Sequence, residues 1–200
     1  MIHRASTYLM SFFAAFSLLG CGSNNVNSVS QESKKKEDSS SQDSNSIVFY
    51  FSRTNNTEKI ASYISEITNS KSSEILAKVP YTDDDIKYYT GCRADKEQAD
   101  PNARPEVGSE HIDLKGFDII YLGYPIWHGD APKIMYTFVE SYDLSGKTLI
   151  PFCTSASSSI GNSASNLAKL APSANWLTGK RFAQGASKDE VQSWIDTLNK

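Results

Sequence analysis

Three short stretches of this chain concentrate the residues that could do chemistry. Tyr50-Phe51-Ser52-Arg53-Thr54-Asn55-Asn56-Thr57-Glu58 runs from an apolar, β-prone segment into a helical pattern. Its hydroxyls and backbone amides fall where a helix dipole favours an anion, which suits a phosphate. A polar helix cap would use the same residue types. No lysine completes a nucleoside-triphosphate loop. Leu122-Gly123-Tyr124-Pro125-Ile126-Trp127-His128-Gly129 leaves a second apolar run and places a large aromatic, Trp127, in a loop. Such a ring is costly to expose, so it either covers a flat ligand or folds back into the core. Pro151-Phe152-Cys153-Thr154-Ser155-Ala156-Ser157-Ser158-Ser159-Ile160-Gly161 again ends a strand-like run and is rich in small residues. Small residues let a backbone approach a ring closely.

Together these stretches resemble the three cofactor loops of flavodoxins, in the order that family has them. Ser52-x-Thr54-x-Asn56-Thr57 is similar to the T/S-x-T-G-x-T phosphate loop, with Asn55 where glycine is usual. Asn is the residue that best tolerates left-handed backbone after glycine. Gly123 to Gly129 resembles G-x-P-x-W-x-G, and Pro151 to Gly161 resembles P-F-x-T-S-G-G-x-x-x-G with Ala156 and Ser157 replacing two glycines. The resemblance implies a five-stranded, doubly wound parallel α/β sheet of strand order 2-1-3-4-5 and non-covalent FMN. It assigns Ser52, Arg53, Thr54, Asn55, Asn56 and Thr57 to the phosphate. Pro125, Ile126, Trp127, His128 and Gly129 are assigned to the ring, and Thr154, Ser155, Ala156 and Ser157 to the ring edge and hydroxyls. The protein supplies binding and orientation, while the redox chemistry belongs to the flavin.

The elements that must position these loops are legible as alternating β-rich runs and amphipathic segments, the pattern of a parallel sheet covered on both faces. Strands are expected at Ile47–Phe51, Ser73–Val79, Phe117–Gly123 and Thr148–Cys153, with a short fifth between Ala174 and Phe182. Helices are expected at Thr57–Asn69, Ala131–Tyr142, Ile160–Leu170 and Lys188–Leu198, with Asp130 as N-cap and Pro132 in the first turn of the second. Tyr81 to Ile112 is polar, with Asp83-Asp84-Asp85, Tyr88-Tyr89 and two prolines, and reads as an irregular excursion. His128 reads as a solvent-facing neighbour of the ring position, without an acid–base role.

Upstream, the pattern changes. His3 and Arg4 precede an apolar, small-residue stretch from Tyr8 to Leu19, and Leu18-Leu19-Gly20-Cys21 resembles a bacterial lipobox. The apolar stretch is short for a span, which needs about 20 residues. Residues 1–20 are therefore expected to be a lipoprotein signal peptide, with Cys21 lipidated and residues 21–45 a tether too polar to fold. Such a tether would hold the 46–200 domain roughly 25–30 Å from the membrane on average. This places the domain outside the cytoplasm, anchored by lipid.

At 200 residues there is room for one full domain. A net charge of −3, with both signs dispersed, argues against nucleic-acid binding. Cys21, Cys92 and Cys153 are too scattered for a disulfide framework, and His3, His111 and His128 have no metal-ligand spacing. The leading expectation is an electron carrier serving redox partner proteins or a membrane donor, with no catalytic residue of its own. The alternatives are an NAD(P)H-dependent quinone or flavin reductase on the same fold, and a cofactor-free lipoprotein that binds a phosphate-bearing ligand.

Overall fold

The computed structural model describes residues 45–198. The expected signal peptide, Cys21 and nearly all of the tether lie outside those residues. No helix of the described residues is long and apolar enough to cross a membrane.

Strand β1 (Ser46–Tyr50) pairs in parallel with β2 (Lys71–Glu74) on one side and β3 (Ile119–Pro125) on the other. β3 in turn pairs with β4 (Thr148–Thr154) along its whole length, from Ile119↔Thr148 to Pro125↔Thr154. The order is β2-β1-β3-β4-β5, as the resemblance implies. The fifth position, however, holds two pieces, β5 (Asn175–Trp176) and β6 (Lys180–Phe182), both paired with β4. Pro151 explains the break. Leu149 accepts from the Leu177 amide, so the odd-numbered residues of β4 face the fifth position. Pro151 therefore turns a ring instead of an N–H toward it. Gly179 crosses there, and a side chain on it would lie 2.9 Å from the Pro151 carbonyl.

Alternation along the strands gives the sheet two apolar faces. Ile47, Phe49, Ile120, Leu122 and Tyr124 pack beneath α3 (Lys133–Glu140) and α4 (Ser163–Ala168), through Ile134, Met135, Phe138 and Leu167. Val48, Tyr121, Ile150 and Phe152 pack beneath α1 (Asn56–Thr68) and α5 (Lys188–Leu198), through Ile60, Ile64, Val191 and Trp194. Each fully buried aliphatic side chain contributes about 1.5–3 kcal/mol. The spacing Ile60, Ala61, Ile64 puts the apolar residues of α1 on one stripe, which is why this polar segment is helical here.

Four boundaries differ from the sequence expectation. β2 lies earlier than Ser73–Val79, because its partner β1 ends at Tyr50, opposite Glu74; of the apolar run beyond it, Ile75 is buried and Ala77 packs against the core. Leu76 and Val79 are exposed, and Leu76 and Lys78 pair instead with Gly108 and Glu106. α3 begins at Lys133 with Pro132 at its N-cap, so Asp130 does not cap it. The Asp130 carboxylate accepts from the Ala131 amide and the Tyr136 hydroxyl. α4 is shorter than Ile160–Leu170, since Gly161 (φ 51°) breaks the pattern before it. The excursion contains a helix, α2 (Arg93–Ala99), and a 3₁₀ turn at Asp84–Ile86.

β3 tolerates no side chain at Gly123. A Cβ there would lie 2.2 Å from the Phe152 ring, which is fully buried in the facing register position. Gly123→Ala is expected to destabilise the domain by about 1–3 kcal/mol through overpacking, measured by urea unfolding.

Candidate functional site

The carboxyl ends of β1, β3 and β4 open into one cleft lined by Thr54, Asn56, Pro125, Ile126, Trp127, Thr154, Ser155, Ala156 and Gln184. Each of the three sequence segments thus contributes to a single site. The join is direct, because the Thr57 and Thr154 hydroxyls hydrogen-bond at 2.8 Å, buried between α1 and β4.

At the first loop, Asn55 adopts left-handed backbone (φ 61°, ψ 0°). This is the conformation for which glycine is usual and Asn the next best choice. No side chain caps α1, so its first-turn amides keep their donor capacity for an anion. Ser52 Oγ is buried without a protein partner. Asn56 Nδ2 donates to Thr54 Oγ1 at 3.0 Å, which orients the Thr54 hydroxyl at the cleft. Arg53 points elsewhere. Its Nε donates to the Tyr81 carbonyl and its guanidinium pairs with Asp83. Ser52, Arg53 and Asn55 border a neighbouring groove of about 390 Å³, next to Tyr81.

At the second loop, Trp127 N–H and carbonyl exchange hydrogen bonds with Asp130 at 2.9 and 3.0 Å, closing a turn whose central residues are His128 (φ 49°) and Gly129 (φ 83°). Two successive positive φ values define a type I′ turn. Trp127 stands between the cleft and the core. It lines the cleft, and its ring packs edge-on against Phe51 (5.4 Å) and Tyr81 (5.2 Å). His128 faces away. Its Nε2 lies 2.6 Å from the Asp95 carboxylate and its ring stacks on Tyr88. Burial pushes the Asp95 carboxyl up, but the Gly91 and Thr90 amides and the His128 ring outweigh it and hold it below the ordinary range. The described His128 is therefore a bound group rather than a solvent-facing one.

At the third loop, neither Ala156 nor Ser157 has positive φ, so this backbone does not require the glycines they replace. Arg181 anchors it, donating to the Ser155 and Ala156 carbonyls at 2.8 and 2.7 Å. Gly129 and Ser157 do not line the cleft.

The sequence reading missed Gln184, which lines the cleft, Arg181, which fixes it, and Tyr81, which backs Trp127. No motif marks them. They reach the site from β6, its following loop and the excursion.

A doubly wound parallel sheet whose first, third and fourth strands end in one polar-and-aromatic cleft defines the flavodoxin-like class. The chain belongs to the flavodoxin family, whose model matches residues 45–198. It is similar to a candidate flavoprotein from Bacteroides uniformis, with 38% identity over 78% of this chain and 99% of that one and a TM-score of 0.73. It is similar also to a candidate flavoprotein from Bacteroides eggerthii, at 35% identity over 78% and 98% of the two chains, TM-score 0.72. A Lactobacillus acidophilus flavoprotein, solved in complex with FMN, shares the fold at 21% identity over 78% and 98%, TM-score 0.56. No curated protein matches the chain.

Behind the cleft, Cys153 is fully buried in β4, and burial pushes its thiol up to about 12, with Arg181 partly opposing. Cys92 is only partly buried, and both thiols are free. Alkylation of the native protein at pH 8 is expected to label Cys92 and spare Cys153 until guanidinium unfolds the domain, read by peptide mass spectrometry.

Proposed function

We propose that the cleft binds FMN and that the domain carries electrons between redox partners. One observation carries this reading: Thr54, Trp127 and Thr154, far apart in sequence, line one cleft beside an uncapped helix N-terminus. The donor set fits the cofactor. Free first-turn amides, the Thr54 hydroxyl and the orphaned Ser52 hydroxyl suit a phosphate, and an aromatic wall suits a flat ring. Membership in the flavodoxin family supports the same cofactor.

In this reading the loop Ser52–Thr57 binds the phosphate and Trp127 covers one face of the ring. Thr154, Ser155 and Ala156 border its edge, with Arg181 keeping their backbone fixed. When bound, FMN supplies reversible electron-transfer chemistry. The cleft measures about 210 Å³. That is below the roughly 300–1,000 Å³ usual for sites that engulf a ligand. A ligand of FMN size would remain partly at the surface, where a protein partner can approach it.

The chain is further proposed to be exported and lipid-anchored through Cys21, on the strength of the Leu18-Leu19-Gly20-Cys21 motif. Two or more acyl chains would give stable anchoring at about 0.8 kcal/mol per buried methylene. Cys21→Ser is expected to move the protein from the membrane to the soluble fraction, followed by immunoblot, and unchanged fractionation would refute the anchor.

Purified protein titrated with FMN is expected to quench flavin fluorescence stoichiometrically and to show a yellow, structured absorption band. Trp127→Ala should weaken binding by roughly tenfold or more, because a stacking wall is lost along with its area. Stabilisation by inorganic phosphate without FMN uptake would replace this reading with phosphate-ligand binding. Sustained NADPH oxidation with a quinone would replace the carrier role with a reductase.

A further inference from the structure

Trp127 is held from three directions by one helix that does not itself line the cleft. Gln98 of α2 donates from Nε2 to the Trp127 carbonyl at 3.0 Å and to the Ala131 carbonyl at 3.2 Å. Its Oε1 accepts from the Lys133 amide at 3.0 Å. One residue earlier, Glu97 accepts from the Tyr81 hydroxyl at 2.5 Å, and it is Tyr81 whose ring abuts the Trp127 edge. Arg93 completes that contact, pairing with Glu97 at 2.7 Å and lying over the Tyr81 ring. Two residues before Glu97, Asp95 fixes His128, the next residue of the Trp127 turn.

The chemistry of the Gln98 contact is specific. A loop leaving a sheet has backbone groups with no ladder partner, and Lys133 N–H is also a first-turn donor of α3. Two carbonyls and one amide require a side chain that donates twice and accepts once. Among uncharged side chains of this reach, glutamine does so. An ionised glutamate would accept from Lys133 but face both carbonyls with negative charge. The excursion between β2 and β3 is thus joined to the loop that it overlies by a matched set of polar contacts.

We propose that Gln98 is a positioning residue for the flavin site: it sets the depth and angle of the Trp127 wall, with Glu97 and Tyr81 holding the ring from behind. This rests on the FMN reading. A wall out of place by a fraction of an ångström loses stacking without loss of the residue, so the effect of Gln98 must pass through Trp127.

The test is a double-mutant cycle in the full chain, with FMN affinity measured by fluorescence quenching and the flavin midpoint potential by spectroelectrochemistry. Gln98→Met, close in shape but without the polar contacts, is expected to weaken FMN binding by about tenfold and to shift the potential. In a Trp127→Ala background the same change is expected to weaken binding by less than about twofold, because coupled residues are not additive. Gln98→Glu, which keeps the acceptor for Lys133 but sets a negative charge against both carbonyls, is expected to weaken FMN binding at least as much as Gln98→Met, and it takes the place of Gln98→Met in the cycle if that variant does not fold. An undiminished effect of the Gln98 change in the Trp127→Ala background would overturn the proposal, as would wild-type affinity and potential in Gln98→Met. Those outcomes leave the FMN reading standing, whereas failure of the wild-type chain to take up FMN overturns both.

Discussion

A strand that pairs in parallel with both neighbours must end on the same edge as they do, and β3 does so at the centre of the sheet, between β1 and β4. Its ladders to β1 and β4 are the most continuous among the described residues, five and seven residues in register. Because the ladders satisfy the backbone along the strands, unpaired polar groups are left chiefly to the loops at the ends. The polar and aromatic residues that leave β1, β3 and β4 therefore meet at one edge. Shifting β3 by one residue would turn Leu122 and Tyr124 out of one core face and drive Gly123 from beneath Phe152. The register of the core and the composition of the cleft are the same constraint.

The loops are then fixed in different ways. The first is joined to the third by the Thr57–Thr154 hydroxyl contact. Arg181 holds the third through its carbonyls, from a strand that exists as a separate piece because Pro151 interrupts the ladder. The second is closed by its own turn and braced by α2. At two of these loops the backbone is left-handed where it aims a functional group. Asn55 is left-handed where the chain enters α1, and His128 and Gly129 are left-handed where the chain turns past Trp127.

The excursion between β2 and β3 changes how the site is built. A bare sheet edge would leave Trp127 as a projecting ring. Here Tyr81 lies against it, Glu97 and Arg93 hold Tyr81, and burial with the Glu97 carboxylate pushes the Tyr81 hydroxyl well above its ordinary range, so it stays a donor. A ring supported in this way meets a flat ligand without first being ordered, which lowers the entropic cost of binding.

The sequence by itself determined the alternation of strands and helices, the three loops and the left-handed need at Asn55. Each of these is local: periodicity of two or 3.6 marks an element, and hydroxyls or small residues at its end mark a loop. Tertiary structure alone decided the rest. The polar helix α2 shows no strong apolar stripe, because it is held by Arg93, Asp95, Glu97 and Gln98 rather than by a hydrophobic face, so no periodicity announces it. The split of the fifth strand depends on which way Pro151 faces, and β2 stops where it does because its neighbour β1 ends. Its place in the motif puts Arg53 at the phosphate, yet Asp83, thirty residues on, draws it away. Contacts between distant segments are set by packing, and packing is not written in the spacing of any one segment.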